Sequence, residues 1–203
     1  MTYFIDAIGI REFERTLHAL GQGVVPAAAY AINDTALFAR RAGAKEIASE
    51  INLKPAYIDS KLTVTQRAST TSLEAVVTGR DRPTSLARFA QGSPRFGKQR
   101  QAPKVRVKAS GGASPIRNGF YMRLKRGNSI ISAENNNIGL AIRLKEGERI
   151  SNKNQMVPIG SGVYLLYGPS VAQAYRSAAQ ETSEAVAENL AARFTHHLAR
   201  ELR

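Results

Sequence analysis

The chain of 203 residues contains no cysteine. This excludes a disulfide framework, a thiolate metal site and a cysteine nucleophile together, and it fits a reducing cytoplasm. No stretch approaches the roughly 18 uninterrupted apolar residues of a membrane-spanning helix. Residues 1–9 lack the basic start and long apolar run of a secretory signal. The expectation is a soluble protein made inside the cell.

Catalytic signatures are equally scarce. No G-x-S-x-G occurs, and no Ser sits beside a base in a recognisable motif. Gly160-Ser161-Gly162 is not followed by Gly-Lys-Ser/Thr, so it reads as a turn before a strand at 163–166 rather than a phosphate loop. His18 flanks the apolar face of a short helix. His196 and His197 are adjacent, hence about 100° apart on a helix, and cannot share a metal as an i, i+4 pair can. The nearest acid in sequence is Glu201. Glu146 and Glu148 flank Gly147 in a hairpin turn, where solvated charge is the ordinary state. Catalytic, cofactor-binding and metal residues are all expected to be absent, and the chain reads as a non-enzyme.

Acidic residues are missing from the middle of the chain, and that shortage is the most informative feature. Between 61 and 126 there are fifteen Lys or Arg and only two acids, Glu74 and Asp81, so this window carries the whole net charge of +13. Like charges packed this densely resist compaction and attract a polyanion or an acidic protein surface.

At this length one well-buried core is expected, and 43% hydrophobic content is normal for a globular chain. The predicted organisation is a single domain over 1–203, with N-terminal helices in 1–53, a β-rich core over 60–167 and one long helix over 169–203. Ile10, Phe13, Leu17 and Leu20 have helical spacing, stopped by Gly21 and Gly23. Pro26 suits the first turn of a second, Ala-rich helix reaching about Ile51, with Gly43 a weak point, and Lys54-Pro55 ends it.

Period-two alternation then appears at 61–65, 73–77, 104–108, 120–124 and 138–144, the last after an Asn135-Asn136-Asn137 turn. Residues 80–103, rich in Gly, Pro, Ser and Arg, read as a long mobile loop, ordered by a partner or functional in itself. Ser170 and Gln173 have capping-box spacing after Gly168-Pro169. Val171, Tyr175, Ala178, Thr182, Val186, Leu190, Phe194, Leu198 and Leu202 follow as one stripe. That stripe is longer than a small sheet requires, so Val171, Tyr175, Val186, Leu190, Phe194 and Leu198 are expected to pack partly on another subunit. The fold class is α+β: an antiparallel sheet, or a small barrel or sandwich, flanked by N-terminal helices and the long C-terminal helix.

Strand alternation predicts that Lys104, Arg106, Lys108, Arg123 and Lys125 project from wet strand faces. The loop adds Arg80, Arg82, Arg88, Arg95, Lys98 and Arg100, with Phe89 and Phe96 interleaved. Three readings are open for these residues: a solvated face, a sequence-blind contact to nucleic-acid phosphates, or docking to an acidic protein ring. No recognition helix or stacking platform is legible, so phosphates would be the target on a nucleic acid.

Several segments in this order look familiar. Ala36-Leu37-Phe38-Ala39-Arg40-Arg41 leads into Asn52-Leu53-Lys54-Pro55-Ala56-Tyr57-Ile58. Gly79-Arg80-Asp81-Arg82-Pro83-Thr84-Ser85-Leu86-Ala87-Arg88-Phe89 comes next. Val105-Arg106-Val107-Lys108 and Leu166-Tyr167-Gly168-Pro169-Ser170-Val171 follow. As an ordered set spanning nearly the whole chain, they resemble the minor tail protein Z family of tailed bacteriophages and prophages. The resemblance implies a structural virion protein, made in the host cytoplasm and placed at the head-proximal end of the tail. There it would complete the tail for head joining and position the DNA end. It further implies a homo-oligomeric ring, expected to be a hexamer. The implied neighbours are the tail terminator, tail tube and head–tail connector, with double-stranded DNA in the lumen and no membrane. The alternative is a free-standing, sequence-nonspecific nucleic-acid-binding protein.

Overall fold

The computed structural model describes residues 23–97, 102–124, 138–145, 148 and 156–201. The expected first helix, with His18, and the Asn135–Asn137 turn lie outside these residues. The chain is α+β, with every strand pairing antiparallel. The sequence reading took it as a single domain. Its contacts divide it into two compact units, each assembled from separated segments: unit 1 from Met1–Ser49, Lys54–Asp81 and Val171–Arg203, unit 2 from Glu50–Leu53 and Arg82–Ser170.

Unit 1 is built on α1, Val24–Glu50, whose last residue already belongs to unit 2. Ala27, Ala28, Ala31, Thr35, Ala39, Gly43 and Ile47 recur at helical steps and are buried, giving a face of mostly small side chains that lets neighbours approach closely. Pro55 opens the short helix α2, Pro55–Asp59, at a position where its missing N–H leaves no helical bond unmade. Strands β1, Leu62–Gln66, and β2, Val76–Gly79, pair with a bulge between Val64 and Gln66.

The C-terminal helix runs as two segments, α3, Val171–Glu181, and α4, Ser183–Glu201. The division falls at Thr182, whose hydroxyl donates back to the Ala178 carbonyl at 2.8 Å. The helical hydrogen bonds continue across it: the Thr182 N–H donates to the Ala178 carbonyl and the Val186 N–H to that of Thr182, each at 3.0 Å. Val24, Ala28, Ala29, Ala68 and Leu73 form one core cluster, covered by Val25, Ile32, Phe194 and Leu198.

Unit 2 centres on an open sheet. Along it run β3 (Thr84–Ser85), β9 (Val163–Gly168), β7 (Ile138–Arg143) and β6 (Gly119–Arg123), while β8 (Met156–Gly160) also pairs with β9. Leu140, Ala141 and Ile142 are consecutive and buried, as expected of a central strand covered on both faces. Ala141, Val163 and Leu165 form its core cluster with Phe120, Met122, Leu124 and Tyr167. A hairpin of β4 (Lys104–Val105) and β5 (Ser114–Pro115) completes the unit.

The segment 80–103 corrects the expectation of a structureless loop. It contains β3 and a 3-10 turn, Leu86–Phe89, and Phe89 is fully buried. Gly168 makes the seat for that ring: a Cβ there would lie 2.7 Å from the Phe89 Cε2. Ala90 then bridges Val105, and the Gln91 N–H donates to the Lys104 carbonyl at 2.8 Å. The exposed positions among its described residues are 80–83, Arg88, 91–97 and Ala102.

Candidate polyanion-binding surface

The two units share the charge very unequally. Unit 2 holds sixteen Lys or Arg against four acids, a balance of +12, whereas unit 1 holds thirteen against twelve. From Arg82 to Leu124 there is no acidic residue at all. Basic charge is therefore a property of one folded unit, with little carboxylate to neutralise it from within.

Of the nominated residues, Arg82, Arg88, Arg95, Lys104, Lys108 and Arg123 are exposed in unit 2. Arg88 is carried by the 3-10 turn that Phe89 anchors, Lys104 by β4 and Arg123 by β6. Lys98, Arg100 and Lys125 lie outside the described residues. Arg80 belongs to unit 1, where its guanidinium reaches the Tyr57 hydroxyl at 3.5 Å and Lys61 lies 5.7 Å from the Tyr57 ring centroid.

Arg106 departs from the expectation. Strand alternation placed it on a wet face, but β4 ends at Val105 and the alternation lapses there. Its Nη2 donates to the Asn52 Oδ1 at 3.2 Å, and the Asn52 Nδ2 donates back to the Arg106 carbonyl at 3.0 Å. The Asn52 N–H donates to the Val107 carbonyl at 2.8 Å, and Ala109 to that of Glu50 at 2.8 Å. Arg106 thus fastens residues 50–53 to the rest of unit 2, with the side chain half-buried.

Two contributors were not nominated from the sequence. Arg117 is exposed in the turn before β6, next to Asn118, whose φ of 56° is left-handed. The Asn118-Gly119 pair is the signal that could have placed it on a turn. The second is a stack: the Arg123 guanidinium lies over the Phe96 ring, 4.9 Å from its centroid.

The proposed oligomer stripe is largely used inside unit 1. Val171 and Tyr175 are buried, and the Tyr175 ring packs against Gly43. Burial pushes the Tyr175 phenol up to about 12, with Arg40 pulling the other way. Phe194 and Leu198 cover the α1 cluster. Val186 and Leu190 remain half-buried.

His197 is also internal. Its Nε2 lies 3.0 Å from the Asp34 Oδ2, Arg193 approaches the same oxygen at 4.0 Å, and the Tyr30 ring lies 5.6 Å away. The nearest acid in space is therefore Asp34 of α1, not Glu201. Among the described residues no group of three or more His, Asp or Glu could hold a metal ion. No helix among them is long and apolar enough to cross a membrane.

The arrangement can hold a polyanion through exposed Arg and Lys on several elements of one unit. Among its described residues that unit presents no helix longer than the 3-10 turn Leu86–Phe89. Comparison with protein-family models, with curated proteins and with solved structures gives no match.

Proposed function

We propose that the chain is a structural virion protein of a tailed phage or prophage, a tail-completion component at the head-proximal end of the tail. In this reading unit 2 is its contact surface for double-stranded DNA. The observation that carries the DNA contact is the segregation of +12 into unit 2, with no acid from 82 to 124. The virion role draws its support from the ordered segments quoted above and their resemblance to the minor tail protein Z family. Assembly as a ring beside other tail and neck proteins belongs to the same proposal. A ring multiplies the charge by its copy number, and sequence-blind contacts still let DNA slide out at injection.

Seven exposed basic side chains between 82 and 123 set the scale. A footprint of six or more phosphates loses about 10³-fold or more in affinity between 50 and 200 mM salt. The primary test is electron microscopy of particles made by the encoding phage without this gene. Unjoined heads and tails, or joined particles that fail to retain DNA, are expected. Normal and fully infectious particles would sink the virion role. Steep salt-dependent DNA binding by the free protein would then favour the second reading, a free-standing nucleic-acid-binding protein, which rests on the same segregation of charge.

A further inference from the structure

Phe96 is the one large apolar side chain left exposed among the described residues from 82 to 124, with 43% of its surface in water. It sits between two glycines in left-handed conformations, Gly92 at φ 78° and Gly97 at φ 93°. No atom lies within 4 Å of a Cβ built at either. Backbone shape, rather than crowding, is what those glycines supply. The ring is held in place: Arg123, at the end of β6, stacks its guanidinium on it. The remaining exposure is the part of the ring that this cation leaves uncovered.

A solvated phenyl is unfavourable in proportion to the apolar area it leaves in water. Here it lies in the most basic, acid-free part of the chain. A cationic ligand is repelled by those surroundings. An acidic peptide would satisfy the arginines but has no need of a flat ring. A nucleic acid with an unpaired base satisfies both, because its phosphates meet the cations while the base covers the phenyl. In a duplex the bases are paired and stacked on each other, so only an unpaired stretch offers a free base.

We infer that Phe96 and Arg123 form a stacking site for an unpaired base, so that unit 2 engages single-stranded segments of nucleic acid as well as duplex phosphates. The inference rests on the reading of unit 2 as a nucleic-acid surface and adds the class of strand it selects. Phe96 supplies the π face, Arg123 fixes it and adds positive charge, and Arg95 lies next to it in the chain. The exposed position means that Phe96 can be changed without disturbing the buried cluster of unit 2.

The test is fluorescence anisotropy of the whole protein with a labelled oligothymidylate and a blunt-ended duplex of equal length, across a salt series. Phe96→Ala should weaken the single strand about 5- to 100-fold and the duplex less than about twofold, with the salt slope unchanged. Phe96→Trp should retain binding. Because the chain has no tryptophan of its own, the emission of this variant reports the site alone and should be quenched by saturating oligothymidylate. Equal losses for both DNAs, no loss for either, or an unquenched Trp at saturation each overturn the stacking site. If the duplex still binds with a steep salt slope in those cases, the nucleic-acid surface survives without it. If neither DNA binds the wild-type protein, both fall.

Discussion

Gly43 lies in the interior of α1, where glycine is unfavourable by about 1 kcal/mol relative to alanine. On propensity alone Gly43→Ala should stabilise the protein. The packing predicts the opposite sign. A Cβ at Gly43 would lie 2.8 Å from the Tyr175 Cδ2 and closer still to Cε2, whereas carbon atoms in contact prefer about 3.5–4.0 Å. Tyr175 is buried, so its ring cannot swing into water, and the added methyl is fixed to a long helix. Overpacking of this kind reaches about 3 kcal/mol. Set against the propensity gain of about 1 kcal/mol, the net loss is about 2 kcal/mol. That lowers the melting temperature by roughly 4–8 °C for a chain of this size.

The helical circular dichroism signal is the right probe, because α2, α3, α4 and all but the last residue of α1 belong to unit 1. The decisive control is the same change in a Tyr175→Leu background. With the ring gone, Gly43→Ala should become neutral or stabilising by up to about 1 kcal/mol, and the coupling between the sites should be about 2–3 kcal/mol. Stabilisation by Gly43→Ala in the presence of Tyr175 would refute the packing of this ring on α1.

Alkaline unfolding should report the same ring. The Tyr175 phenol is raised to about 12 by burial, while an unfolded tyrosine titrates near 10. The folded state keeps its proton longer, so this contribution is complete below pH ~10 and falls as pH rises towards ~12, by about 2–3 kcal/mol in all. Tyr175→Phe should abolish that loss in urea melts followed across this range. In unit 2, Arg106→Ala should destabilise by about 1.5–3 kcal/mol through the lost Asn52 bond. Lys104→Gln and Lys108→Gln should change stability by less than about 0.5 kcal/mol, yet each should lower the DNA-binding salt slope by about 1. Asp34→Ala removes the Nε2 partner of a His197 whose Nδ1 has no hydrogen bond, and should cost about 1–3 kcal/mol in urea. Asp34→Asn keeps an acceptor and should lose less.

The α+β class was legible because strands such as β1 and β4 alternate wet and dry residues, which writes period two into the sequence. Where that physics fails, the sequence is silent. Strand β8 contains Pro158, and all but its first residue are exposed; an edge strand of this kind needs no alternation and tolerates proline. The buried part of 80–103 is fixed by one ring, Phe89, seated against a glycine almost eighty residues away in sequence. No local period can express such a contact.

The basic surface was legible by counting charges. Its division between units was not, because Lys61, Arg67 and Arg80, counted in the same window, belong to unit 1. Arg106 was misplaced for a different reason: alternation was extended beyond a strand two residues long.

Unit 2 is spliced into unit 1 between Asp81 and Val171, and the two sides of that splice are bonded together. The Ala172 N–H donates to the Arg80 carbonyl at 3.1 Å. From the standpoint of unit 1, everything from 82 to 170 is a single loop whose ends must meet. Closing a flexible loop of that length costs about 4 kcal/mol in chain entropy, whereas a folded insert with adjacent ends brings them together at little cost. Melting of unit 2 would therefore weaken unit 1 through the chain itself. Replacement of 82–170 by a short linker would relieve that dependence, strip away the whole net charge of +13, and leave the Glu50–Leu53 segment without its unit. Most of unit 2 is thus removable as one continuous insert, and while it is present its melting bears on unit 1 through the closed chain.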